Sequence, residues 1–75
     1  MKTHYKLKYE KNDDRWLAIS NQDNEFPMRC GDMFQIKLGK ILLSCRLEMD
    51  SDWYVISSGT KIKLHPKEHY EVLIQ

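Results

Sequence analysis

The chain reads as an all-β domain, on three observations. Apolar residues recur at every second position through most segments, and clusters of Gly, Pro, Asn, Asp and Ser interrupt that alternation roughly every six to ten residues. The longest segment, Ile41 to Asp50, also cannot be wound at helical pitch without scattering Arg46 and Glu48 among its apolar positions. Short alternating strands with regular turns are the signature of a sandwich or small barrel. The expected architecture is a small antiparallel SH3-like barrel of about five to seven short strands, with an OB-like barrel as the alternative.

In chain order, His4 to Tyr9 places Tyr5, Leu7 and Tyr9 on one face and His4, Lys6 and Lys8 on the other. The polar turn Glu10 to Asp14 leads into a second strand, Arg15 to Ser20. After the polar loop Asn21 to Glu25, Phe26-Pro27-Met28 suits a sheet edge, because Pro27 has no N–H to donate. Gly31-Asp32 turns the chain into Met33 to Leu38, and Gly39-Lys40 has the form of a two-residue type II′ hairpin. From there Ile41, Leu43, Cys45, Leu47 and Met49 share one face, with only Leu42 out of pattern on the other. Trp53 to Ile56 carries large side chains on both faces and is expected to be central or covered on both sides. Lys61 to Leu64 alternates briefly, and His69 to Gln75 is placed to close a barrel against the first strand.

Seventy-five residues with no repeat, linker or low-complexity tract read as one β-barrel domain spanning residues 1–75. A domain of this size buries only about 60% of the surface its unfolded chain exposes, so its core is small. Twelve Lys and Arg against eleven Asp and Glu leave a formal net charge of +1, too weak a field to draw the whole molecule to nucleic acid or an anionic membrane. Ile41-Leu42-Leu43, the longest apolar run, is far short of the roughly 18 residues of a membrane-spanning helix. The N-terminal stretch has no apolar signal-peptide core, and a cytoplasmic location is expected. With no secretory signal, Cys30 and Cys45 are expected to be free thiols.

No catalytic, metal or cofactor site is expected. Cys30, Cys45, His65 and His69 include a His-x₃-His spacing, but the cysteines lack the short spacing that makes a zinc signal specific. Cys45 faces the core side, and the two histidines flank Pro66 in a turn. Cys30 lies beside Asp32, whose charge would raise a thiol pKa and deactivate it as a nucleophile. Asp13-Asp14 and the pair Asp50 and Asp52 are ordinary turn carboxylates. The three glycines sit singly at turns and form no phosphate loop.

Two binding surfaces are candidates. Trp53 and Tyr54 point in opposite directions beside the acidic turn of Asp50 and Asp52, and an exposed aromatic next to carboxylates resembles the peptide groove of SH3-type modules. The plainer reading makes Trp53 a core anchor and packs Tyr54 under a loop. Lys6 and Lys8, with Lys61 and Lys63, form a nucleic-acid patch if their strands are adjacent, extended by Lys2, Lys11 and Lys67. Against this, lysines on outer strands commonly guard sheet edges, and Tyr5, Tyr9 and Tyr70 face the core instead of offering stacking surfaces.

Gly31-Asp32 before an alternating strand, then Cys45-Arg46-Leu47-Glu48, Asp52-Trp53-Tyr54 and a terminal Val72-Leu73-Ile74, together resemble a small family of uncharacterised domains from Gram-positive bacteria, found on conjugative elements and phages. Ile41-Leu42 stands where that family would have a Trp-containing strand start. The resemblance implies a β-rich accessory protein of a mobile element and assigns no site. The expected function is a non-enzymatic module that contacts a protein partner through Trp53, Tyr54, Asp50 and Asp52, with nucleic-acid binding through the lysines as the alternative.

Overall fold

Each alternating segment becomes a strand in the structure, a computed structural model that describes residues 2–75. The strands are β1 (Thr3–Glu10), β2 (Arg15–Ile19), β3 (Glu25–Pro27), β4 (Met33–Leu38), β5 (Ile41–Met49), β6 (Trp53–Ser57), β7 (Thr60–Lys63) and β8 (Tyr70–Ile74). They form one sheet in the order β3-β2-β1-β8-β4-β5-β6-β7, and every pairing is antiparallel. Among the described residues no helix is long and apolar enough to cross a membrane.

The expected closed barrel is not formed. The terminal strand does pair with the first, in the register Tyr5↔Val72, but β8 also pairs with β4 and so lies inside the sheet. The two ends of the sheet, β3 and β7, are not hydrogen-bonded to each other. Closure requires two edges able to exchange backbone hydrogen bonds. β3 has three residues and ends in Pro27, which has no donor, while β7 has four and carries Lys61 and Lys63. Those edges are short and guarded, and the sheet stays open.

A single sheet without a covering layer must bury its apolar face by coiling on itself. That face gathers Leu7, Trp16, Ala18, Phe34, Ile36, Cys45, Leu47, Val55 and Val72, joined by Met28 and Leu64 from beyond β3 and β7. The alternation in the sequence maps onto this core, with Tyr5, Tyr9, Leu38, Leu43, Trp53, Ile62, Tyr70 and Ile74 packed around it, except that Ile41 and Met49, at the two ends of β5, are exposed. Leu42, out of pattern in sequence, is exposed on the outer face.

Three turns set the register. Gly39 at φ 62 followed by a residue of negative φ fits the expected type II′ hairpin between Leu38 and Ile41. Ser58 and Gly59, at φ 50 and 81, both take positive φ between the paired Ser57 and Thr60, as a type I′ turn demands. At Arg29 to Asp32, Asp32 N–H donates to the Arg29 carbonyl at 3.1 Å with Gly31 at φ 93 in the third position, the hallmark of a type II turn. Asp32 Oδ2 accepts from the Arg29 N–H at 2.8 Å and closes the turn from the other side.

Two outcomes follow from this turn chemistry. Gly31→Ala is expected to destabilise the fold by about 1 to 2 kcal/mol through backbone strain alone, since nothing stands within 4 Å of the added Cβ. Ser58→Asn, which supplies the residue that a type I′ turn prefers before glycine, is expected to stabilise by about 0.5 kcal/mol. Urea unfolding of the two variants beside the parent chain checks both signs.

Candidate functional site

The acidic turn and the β7 lysines, which the sequence assigns to rival surfaces, meet at one end of the sheet. Lys61 Nζ lies 3.9 Å from Asp50 Oδ2, and Lys63 Nζ lies 3.5 Å from Asp52 Oδ2. Both pairs are solvent-exposed, so each contributes at most about 1 kcal/mol, but together they cancel the local charge of either sign. Lys6 and Lys8 stand on β1, separated from β7 by β8, β4, β5 and β6. The adjacency on which a single lysine patch depends is absent from the sheet order.

Trp53 and Tyr54 take opposite faces. Trp53 packs against the core side next to Val55. Tyr54 faces outward, opposite Glu48 and Lys63 in the ladder, with Lys61 Nζ 4.6 Å from its ring centroid. The four-residue surface Trp53, Tyr54, Asp50 and Asp52 is thereby split. Tyr54 and Asp50 are engaged with Lys61, and Trp53 and Asp52 border a cleft.

That cleft, of about 230 Å³, lies where the β1–β2 turn approaches β6 and the segment after β7. Tyr9, Trp16 and Trp53 give it aromatic walls, Leu64 and Pro66 give it apolar ones, and Asp14 and Asp52 supply carboxylates. Asp14 organises it. Held at φ 49, a conformation that Asp tolerates in turns, it accepts hydrogen bonds on Oδ1 from the Tyr9 hydroxyl and, at 3.1 Å, from the Trp53 indole N–H. Trp53 is 39 positions away in the chain, so this contact ties the first hairpin to β6.

Both donors to Asp14 are neutral, and among the described residues Asp14 forms no salt bridge. The hydrogen bond from Tyr9, then that from Trp53, hold the Asp14 carboxyl below its ordinary value of 3.8. The same Asp14 hydrogen bond pushes the Tyr9 hydroxyl above 10.0. At the floor of the cleft, Trp16 is fully buried and its indole N–H has no acceptor. The tilted rings of Tyr9 and Tyr70 pack against the Trp16 ring with centroids 5.4 and 5.8 Å away.

The residues that carry the family resemblance serve the fold. Gly31 N–H donates to the Leu47 carbonyl at 2.8 Å and Leu47 N–H to the Asp32 carbonyl at 2.9 Å, so Gly31-Asp32 extends the β4–β5 ladder onto the Cys45-Arg46-Leu47-Glu48 run. Arg46 and Glu48 pair on the outer face at 2.5 Å. Both cysteines are free, Cys30 exposed and Cys45 buried, and burial pushes the Cys45 thiol up to about 11. His65 and His69 are exposed about their turn, and among the described residues no three metal-ligating side chains converge.

The sign of the Asp14 shift sets a pH dependence. A carboxyl with a lowered folded-state pKa contributes stability that is present above the unfolded value and lost as pH falls through the folded one. Asp14→Asn keeps an oxygen for both donors and removes only the charge. The stability advantage of the parent chain over this variant is expected at neutral pH and to vanish as pH falls below about 4, read from melting temperatures across an acid series.

Comparison with known proteins gives one positive result. Residues 5–74 match the family described as "Domain of unknown function (DUF5348)". Neither a curated protein nor a solved structure matches the chain. A match over nearly the whole length places this chain in that family of small domains.

Proposed function

We propose that the domain is a non-enzymatic cytoplasmic binding module, an accessory of a bacterial mobile element, that contacts a protein partner through the cleft bordered by Trp53 and Asp52. One observation carries the reading. Aromatic and acidic side chains converge on a concave site where Tyr9, Asp14 and Trp53 are already fixed to one another by hydrogen bonds. Aromatic residues held in place lose little entropy on binding, which suits them to anchor a partner. The accessory role rests on the resemblance of Gly31-Asp32, Cys45 to Glu48 and Asp52-Trp53-Tyr54 to domains of mobile elements. The nucleic-acid alternative is left with Lys6 and Lys8, since Lys61 and Lys63 are paired with carboxylates.

Selection from a displayed random-peptide library on the immobilised domain tests this. The expected outcome is a set of related peptides whose binding weakens about tenfold in Asp52→Lys and is unchanged in Lys6→Glu/Lys8→Glu. The reading is overturned if no peptide family is enriched. DNA or RNA binding with an affinity that falls steeply with salt, and is lost in the lysine variant, would install the alternative in its place.

A further inference from the structure

Resting on that reading, we propose that the cleft between the β1–β2 turn and β6 is a receptor for an arginine side chain of the partner protein, with Asp14 as its carboxylate and the rings of Tyr9 and Trp53 as its flanking aromatics. The charge count points this way. The cleft's ionised lining is Asp14, Asp52 and Lys63, two carboxylates and one ammonium, and the ammonium is engaged with Asp52 at the rim. Asp14 therefore has no cation of its own among the described residues. Its Oδ1 takes both protein hydrogen bonds, which leaves Oδ2 without a protein donor.

Such a carboxylate is preorganised. Its orientation is set by two donors from different strands, and the turn that carries it is already formed. A guanidinium matches the site better than an ammonium does. It is planar, it stacks against aromatic faces, and it keeps several donors for a single carboxylate. A volume of about 230 Å³ admits one such side chain and not a folded segment. Asp14 is solvent-exposed, and a neutral or anionic side chain in the cleft would give its carboxylate no counter-charge.

The test titrates the intact ¹⁵N-labelled domain with three blocked tripeptides, Gly-Xaa-Gly, in which Xaa is arginine, citrulline or lysine, and follows the Trp53 indole N–H resonance. Arginine is expected to give a saturable shift with a Kd on the order of 1 mM, and citrulline, which keeps the shape and loses the charge, to bind at least about tenfold more weakly. Asp14→Asn is expected to weaken arginine binding about tenfold while the Trp53 indole resonance stays dispersed, and Asp52→Asn to weaken it only about twofold. No saturable shift, equal binding of citrulline, or an Asp14→Asn variant that binds as the parent does would overturn the proposal. Equal binding of lysine would overturn the guanidinium assignment. If Asp14→Asn fails to fold, the arginine and citrulline titrations of the parent chain still decide. Peptides enriched on the domain without arginine, and without effect on the Trp53 indole, would sink this inference and leave the protein-binding reading standing. A saturable arginine shift with no peptide family enriched would overturn the protein-partner reading and leave the cleft a guanidinium site whose ligand is not a protein.

Discussion

Burial of Trp16 is the constraint on which the rest of the structure depends. It sits on β2, one strand from an open edge, yet it is fully buried. A flat sheet cannot hide a side chain of that size so near its margin. The rings of Tyr9 and Tyr70 lean on it, and Trp53 and Leu64 border the cleft above it from the opposite end of the sheet. An indole hides roughly 150 to 250 Å², which at about 25 cal/mol per Å² is on the order of 4 to 6 kcal/mol. The unpaired Trp16 N–H offsets about 1 to 3 kcal/mol of this. Packing wins that comparison, and it is the force that curls the sheet.

Hydrogen bonding then decides how the curled ends meet. The contact between Asp14 and Trp53 is worth less than the burial of Trp16, but it has direction, and packing alone has none. It joins the turn after β1 to the first residue of β6 without any strand pairing between them. The first hairpin and β6 are thus held together by side chains, where a closed barrel would use backbone. The cleft lies at that junction, between the β1–β2 turn, the start of β6 and the segment after β7.

Local pattern explains what the sequence revealed. Two-residue alternation identified Met33 to Leu38 and the start of β5 at Ile41, and it assigned Leu7, Cys45 and Val72 to the buried face, because each of those facts is written in neighbouring residues. The edge placement of Phe26-Pro27 was legible in the same way, from one missing N–H. Closure was not, since it depends on whether β3 and β7 can reach and pair, and neither strand records the other's length. Asp14 was read only as a turn residue, which it is. That it accepts from an indole 39 positions away left no local mark apart from a carboxylate at the end of a turn, facing an alternating Tyr9.

The pairing of Asp50 with Lys61 and Asp52 with Lys63 bears on how any partner is recognised. Opposite charges interleaved at one end of the sheet leave little field beyond a Debye length, roughly 8 Å at physiological ionic strength, and a net charge of +1 adds almost none. Long-range steering is therefore weak, and discrimination has to come from contacts made at van der Waals distance. Gly31, Asp32, Leu47 and Trp53 hold turns and core in place, and so they preserve the shape of the cleft. Trp53 alone belongs to both sets, fixed by the core on one side and exposed to the cleft on the other, and this is what couples the stability of the fold to the shape of the site.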